Sequence, residues 1–117
     1  MRILITGASG YIGCELTDFL LKKNFKIVAI DTPWFGTNLK KHKNLKIIKK
    51  DYRNINNLDL KNIESVIHLA NIANDLSAEL NPELSWNVNV LGTIKLLELC
   101  KQNNIKQFIY ASSGSVY

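Results

Sequence analysis

Residues 6–13 read TGASGYIG. Gly7, Gly10 and Gly13 stand three apart, directly after the apolar run RILIT of residues 2–6. From Tyr11 the pattern changes: Ile12, Leu16, Phe19 and Leu20 recur at helical spacing, and Asn24 is a plausible stop. The segment is therefore a strand, a glycine turn and a helix. In that setting each glycine has a physical task. Gly7 permits the tight turn, Gly10 lets backbone approach a pyrophosphate, and Gly13 lets helix and strand pack closely. The helix N-terminus adds free N–H groups and partial positive charge.

Such a turn predicts an acidic residue about twenty positions on, at the end of the second strand. KIVAID, residues 26–31, ends on Asp31, 18 residues after Gly13. Its carboxylate would accept from the adenosine ribose hydroxyls and repel a 2′-phosphate. No Arg or Lys occurs from 32 to 39 to welcome that phosphate, which favours NAD over NADP. On its own Asp31 would be an ordinary strand-end turn former.

Further along, LKIIK (45–49) and ESVIHLA (64–70) read as the third and fourth strands, and KQFIYAS (106–112) as the fifth. Residues 54–62 form a short polar connection with helical turns around Leu58. Residues 71–82 are loop-like, and Pro82 suits the first turn of a helix. That helix runs to about Asn103 with Trp86, Val90, Ile94 and Leu97 along one face. No internal repeat, low-complexity tract or linker interrupts residues 1–117. Short buried-type strands alternating with helices predict one α/β domain. It is a Rossmann-type, doubly wound parallel sheet in three αβα layers, of order 3-2-1-4-5, with a crevice at the C-terminal ends of strands 1 and 4.

Composition sets the outer bounds. The 117 residues are 46% hydrophobic and 21% charged, ordinary for a globular domain. No apolar run approaches the roughly eighteen residues of a membrane span, and MRILITGA is too short for a signal peptide. Cys14 and Cys100 lack metal-site or disulfide-framework spacing, so no metal is expected and a reducing cytoplasm is the expected place. The formal charge of +5 owes much to KKHKNLKIIKK, residues 40–50. Without interleaved aromatics or arginines that cluster reads as a solvated rim, not a nucleic-acid surface.

TGASGYIG resembles the TGxxGxxG fingerprint of the extended short-chain dehydrogenases/reductases, the NAD-dependent epimerase/dehydratase family of nucleotide-sugar enzymes such as UDP-glucose 4-epimerase. The resemblance runs through the chain. KDYRN (50–54) resembles the strand-three end whose aspartate bonds the adenine amine, which implies Asp51, with Tyr52 beside it. VIHLANIA (66–73) resembles the segment whose backbone lines the cofactor, which implies Leu69, Ala70 and Asn71. NVLGT (89–93) is similar to the helix motif whose asparagine faces the cofactor, here Asn89. FIYASSGSVY (108–117) resembles the strand-five end carrying the active-site Ser/Thr, and register gives that role to Ser113. With Gly7, Gly10, Tyr11, Ile12, Gly13 and Asp31, these residues make up the implied NAD site.

Each residue also has a plain structural explanation. Asp51 could be a turn or capping aspartate, and Asn89 an exposed polar residue. Ser112, Ser113 and Ser115 could be turn formers, and Trp34 and Phe35 local packing. His68 reads as a satisfied structural histidine.

The implied chemistry is hydride transfer between the nicotinamide and a sugar carbon, with a nucleotide-diphosphate sugar as partner. A homodimer is implied only for the full-length relatives. The family's YxxxK base motif does not occur in these 117 residues. The isolated chain is therefore expected to show no epimerase turnover, and a non-catalytic dinucleotide-binding module or an inactive gene fragment is the alternative. Ser113 is followed by Gly114-Ser115 where the dehydratase branch has Asp-Glu, which leans away from 4,6-dehydration.

Overall fold

The computed structural model describes residues 1–8, 11–31, 42–69 and 91–110. Strand β1 spans Arg2–Thr6, helix α1 Tyr11–Lys22, β2 Lys26–Asp31 and β3 Leu45–Lys49. A single 3₁₀ turn, Tyr52–Asn54, follows; then come β4 at Ser65–His68, α2 at Gly92–Gln102 and β5 at Gln107–Tyr110. All strand pairs are parallel, and the order is β3-β2-β1-β4-β5, as the apolar runs imply.

Period-two alternation divides the buried strand residues between two faces. Ile3, Ile5, Ile27, Ala29 and Ile67 face α1, where Ala8 and Leu21 complete the cluster. Leu4, Val28, Ile30 and Val66 face the other layer, formed by Tyr52, Ile55, Leu60 and Ile63 with Leu96 and Cys100 of α2. The two clusters make one sheet buried on both sides. Such burial explains the near-continuous apolar runs of β1 and β2.

The two described helices end in the same way. Asn24 and Asn104 adopt φ of 68° and 57°. Phe25 N–H donates to Leu20 O and Asn24 N–H to Leu21 O; Ile105 N–H donates to Cys100 O and Asn104 N–H to Lys101 O. These are paired C-terminal caps, with asparagine in the left-handed position that glycine more often takes.

The helix faces differ from expectation. In α1, Ile12 is 68% and Phe19 57% exposed, while Gly13, Thr17 and Leu21 are buried. In α2, Ile94 and Leu97 are exposed, and Gly92, Leu96 and Cys100 are buried. In each helix a glycine lies at the close contact, Gly13 against the Gly7–Ala8 backbone and Gly92 against the Tyr52 ring, and the inward face follows that contact and not the larger apolar side chains. The connection after β3 also differs. Its one helical turn is Tyr52–Asn54, started by Asp51, and Leu58 is exposed while Ile55, Leu60 and Ile63 anchor the segment.

The sheet's outer strands contrast. β3 carries Lys46 and Lys49 within LKIIK, whereas β5 is the uncharged QFIY with Ile109 and Tyr110 exposed.

Candidate functional site

The turn after β1 has the geometry its glycines predict. Gly7 sits at φ 71° and its N–H donates to Ile30 O at 2.9 Å, which ties the turn to the end of β2. A side chain at Gly13 has no room: a Cβ there would collide with the Gly7 carbonyl oxygen and lie 2.8 and 2.9 Å from Ala8 Cα and C. Every one of those atoms is backbone, so α1 rests directly on the turn. No acidic residue occupies the first turn of α1. The first N–H groups of a helix have no partner within the helix, and here they lie at the C-terminal edge of the sheet with no acidic side chain among them, an end suited to an anion. Tyr11 opens the helix, and Ile12 is exposed beside it.

Asp31 and Asp51 flank the same edge. Asp31 ends β2 half-buried, and its carbonyl accepts from Lys50 N–H at 3.0 Å. Its charge reaches Cys14 in α1: burial, and then Asp31, push that thiol's pKa up. Asp51 caps the 3₁₀ turn through Arg53 N–H at 2.9 Å. Arg53 also grips the carboxylate, with Nε 3.0 Å from each oxygen and Nη2 on Oδ2. The Arg53 hydrogen bonds hold the Asp51 carboxyl below its ordinary range. Tyr52, expected beside the cofactor, is a core side chain. Its ring packs so closely on Gly92 that a Cβ there would lie 2.5 Å from Oη, and burial pushes its pKa up to about 12.

Between these parts lies a buried polar bridge. The His68 ring is 1% exposed, with Nδ1 2.6 Å from Thr6 Oγ1 and Nε2 3.0 Å from Thr93 Oγ1. Tyr52 meets it edge-on at 4.5 Å between centroids, and Phe108 and Tyr110 lie at 6.1 and 5.5 Å. Burial lowers its pKa to about 4, so the imidazole is neutral at physiological pH. Leu69 N–H donates to both Thr6 O at 3.1 Å and Thr6 Oγ1 at 3.0 Å, which fixes the backbone leaving β4. Thr6 and Thr93 were not singled out by the sequence, although both lie within motifs that were.

Residues 3–117 match the sequence model of the NAD dependent epimerase/dehydratase family. The chain belongs to this family. Among curated relatives, a putative UDP-glucose 4-epimerase of Methanocaldococcus jannaschii is 31% identical over 115 residues, covering 96% of this chain and 38% of the relative. A dTDP-D-glucose 4,6-dehydratase of Dictyostelium discoideum is 37% identical over 129 residues, covering 99% and 30%. Among solved structures, MoeE5 in complex with UDP-glucuronic acid and NAD superposes with a TM-score of 0.87 at 33% identity, covering all of this chain and 38% of that one. The chain thus spans less than half the length of the relatives it matches.

In this epimerase/dehydratase chain the described site residues Gly7, Gly13, Asp31, Asp51 and Leu69 converge on one edge of the sheet. Gly10, Ala70, Asn71, Asn89 and Ser113 lie outside the described residues. The opposite edge holds a groove of about 400 Å³ lined by Arg2, Lys26, Lys43 and Lys46, at the N-terminal ends of β1, β2 and β3. It lies at the opposite end of β1 from the glycine turn. Among the described residues no group of His, Cys, Asp or Glu could hold a metal ion, and no helix is long and apolar enough to cross a membrane.

Proposed function

We propose that this chain is the NAD-binding portion of a nucleotide-sugar epimerase-like oxidoreductase. The observation that carries the proposal is the contact of Gly13 with the Gly7–Ala8 backbone, which seats α1 against the glycine turn as a pyrophosphate-binding turn requires. Gly7, Gly10 and Gly13 with the N–H groups of Tyr11 and Ile12 hold that pyrophosphate. Asp31 accepts from the adenosine ribose. Asp51, already oriented by Arg53, retains acceptor capacity for the adenine amine, since a carboxylate offers about four lone-pair sites. Tyr52 contributes through the core, by seating Asp51 and Gly92. Leu69, Ala70 and Asn71 line the cofactor with backbone, and Asn89 faces it.

NAD, when bound, supplies the hydride-accepting nicotinamide. Ser113 would hold the sugar oxygen of a nucleotide-diphosphate sugar. Overall identity does not separate the branches, at 31% to the epimerase and 37% to the dehydratase. The preference for epimerase-type chemistry rests on Gly114-Ser115 after Ser113.

A thermal-shift titration of the purified chain tests the cofactor proposal. NAD should raise the midpoint in proportion to RT ln(1 + [L]/Kd), and NADP should do so far less. A folded chain whose midpoint does not respond to NAD would refute it. The second reading is a dinucleotide-binding module without catalysis. Turnover of a UDP-sugar by the chain with added NAD would exclude that reading.

A further inference from the structure

The bridge through His68 joins three elements. Thr6 closes β1 and lies 62 residues from His68 in sequence; Thr93 lies in the first turn of α2, 25 residues away. A neutral imidazole donates from one nitrogen and accepts at the other, so the bridge has a direction. One threonine hydroxyl gives a proton to the ring, and the other receives one. Thr6 Oγ1 accepts the Leu69 N–H as well, so the same oxygen fixes the start of the segment after β4. Thr6 immediately precedes Gly7, and Thr93 immediately follows Gly92. The two ends of the bridge are therefore the glycine turn and the entry of α2.

Packing alone does not require this arrangement. Between Tyr52, Phe108 and Tyr110 an apolar side chain would fill the space without the cost of burying polar atoms. Retaining a ring with both nitrogens bonded ties one geometry of turn and helix, as hydrogen bonds from a buried side chain do.

We propose that His68 is a positioning residue of the cofactor crevice, bridging Thr6 and Thr93 to set the gap between the glycine turn and the entry of α2. Its effect on affinity rests on the proposed NAD site; its effect on backbone geometry does not.

The test uses the whole 117-residue chain. Thr93→Val keeps the shape of the side chain and removes the hydroxyl, whereas Thr93→Ser keeps the hydroxyl. Thr93→Val should bind NAD about tenfold more weakly while fully folded, and Thr93→Ser should stay within about twofold of the parent, the contrast expected from losing a partly buried hydroxyl that bonds the His68 ring and the Tyr52 hydroxyl. His68→Asn, which reproduces the ring at Nδ1 but not at Nε2, should match Thr93→Val. In parallel, amide exchange without NAD should accelerate at Gly7 and Leu69 by about tenfold more than at Leu4 in the core, because the opening is local. Equal NAD affinity in Thr93→Val and Thr93→Ser, or equal acceleration at Leu69 and Leu4, overturns the proposal. If the parent chain binds no NAD, the cofactor site fails on its own, and the exchange at Gly7 and Leu69 decides the bridge.

Discussion

Gly13→Ala is the sharpest perturbation of the glycine turn. The new Cβ would lie 2.8 and 2.9 Å from Ala8 Cα and C, and closer still to the Gly7 carbonyl oxygen. Carbon atoms pack at about 3.5 Å or more, so α1 must retreat by about 0.7 Å from two carbons and further from the oxygen. The turn cannot yield easily. Gly7 is held at φ 71° and bonded to Ile30 O, and Ala8 is fully buried. Overpacking of this kind costs about 1–3 kcal/mol, and backbone partners put it at the upper end. Alanine recovers about 1 kcal/mol of helix propensity over glycine. The net expectation is a loss of about 2 kcal/mol, about a thirtyfold change in the unfolded population on top of lost NAD binding. Urea denaturation followed by far-UV circular dichroism measures the first, and a fluorescence titration with NAD the second. Phe19→Ala, on the exposed face of α1, is the control and should change neither. A Gly13→Ala protein with the control's stability and full NAD affinity would refute the close-contact account.

Acid should destabilise the fold through His68. The unfolded ring takes its proton near 6.5 and the folded ring only near 4, so stability is full above 6.5 and is lost as pH falls between those values. The loss is about 3 kcal/mol, visible as a falling urea midpoint; a flat profile across that window would contradict the burial of the ring. Gly92→Ala should cost about 1–3 kcal/mol, because its Cβ meets the Tyr52 ring at 2.5–2.9 Å. Adding Tyr52→Phe should restore part of that loss in a double-mutant cycle, since it removes the nearest of the three atoms. Arg53→Ala should raise the Asp51 carboxyl pKa toward its ordinary range, read by carbon NMR titration. The accompanying stability loss should be no more than about 1 kcal/mol, since the pair is partly exposed.

The sheet was legible because two independent signals agreed. RILIT and KIVAID are buried on both faces, and the glycines between them admit only a strand–turn–helix passage. The C-terminal edge as the place of Asp31 followed from the same pattern, whereas Asp51 came only from the family resemblance of KDYRN. The helix faces were not legible, because Ile12, Phe19, Ile94 and Leu97 carry the larger apolar surface and yet point outward. Which face turns inward is decided by how near the backbones come, and Gly13, Thr17, Gly92 and Cys100 declare that only once the neighbours are in place. The partners of His68 were hidden for a similar reason. Thr6 and His68 meet through the β1–β4 register, which no local spacing reveals.

The two outer strands give the sheet a direction of growth. β3 offers lysines to any strand that would pair with it, a common protection of an open edge, whereas QFIY of β5 offers none. Pairing along β3 would set lysines against the incoming strand, so within the described sheet the β5 edge is the less protected of the two.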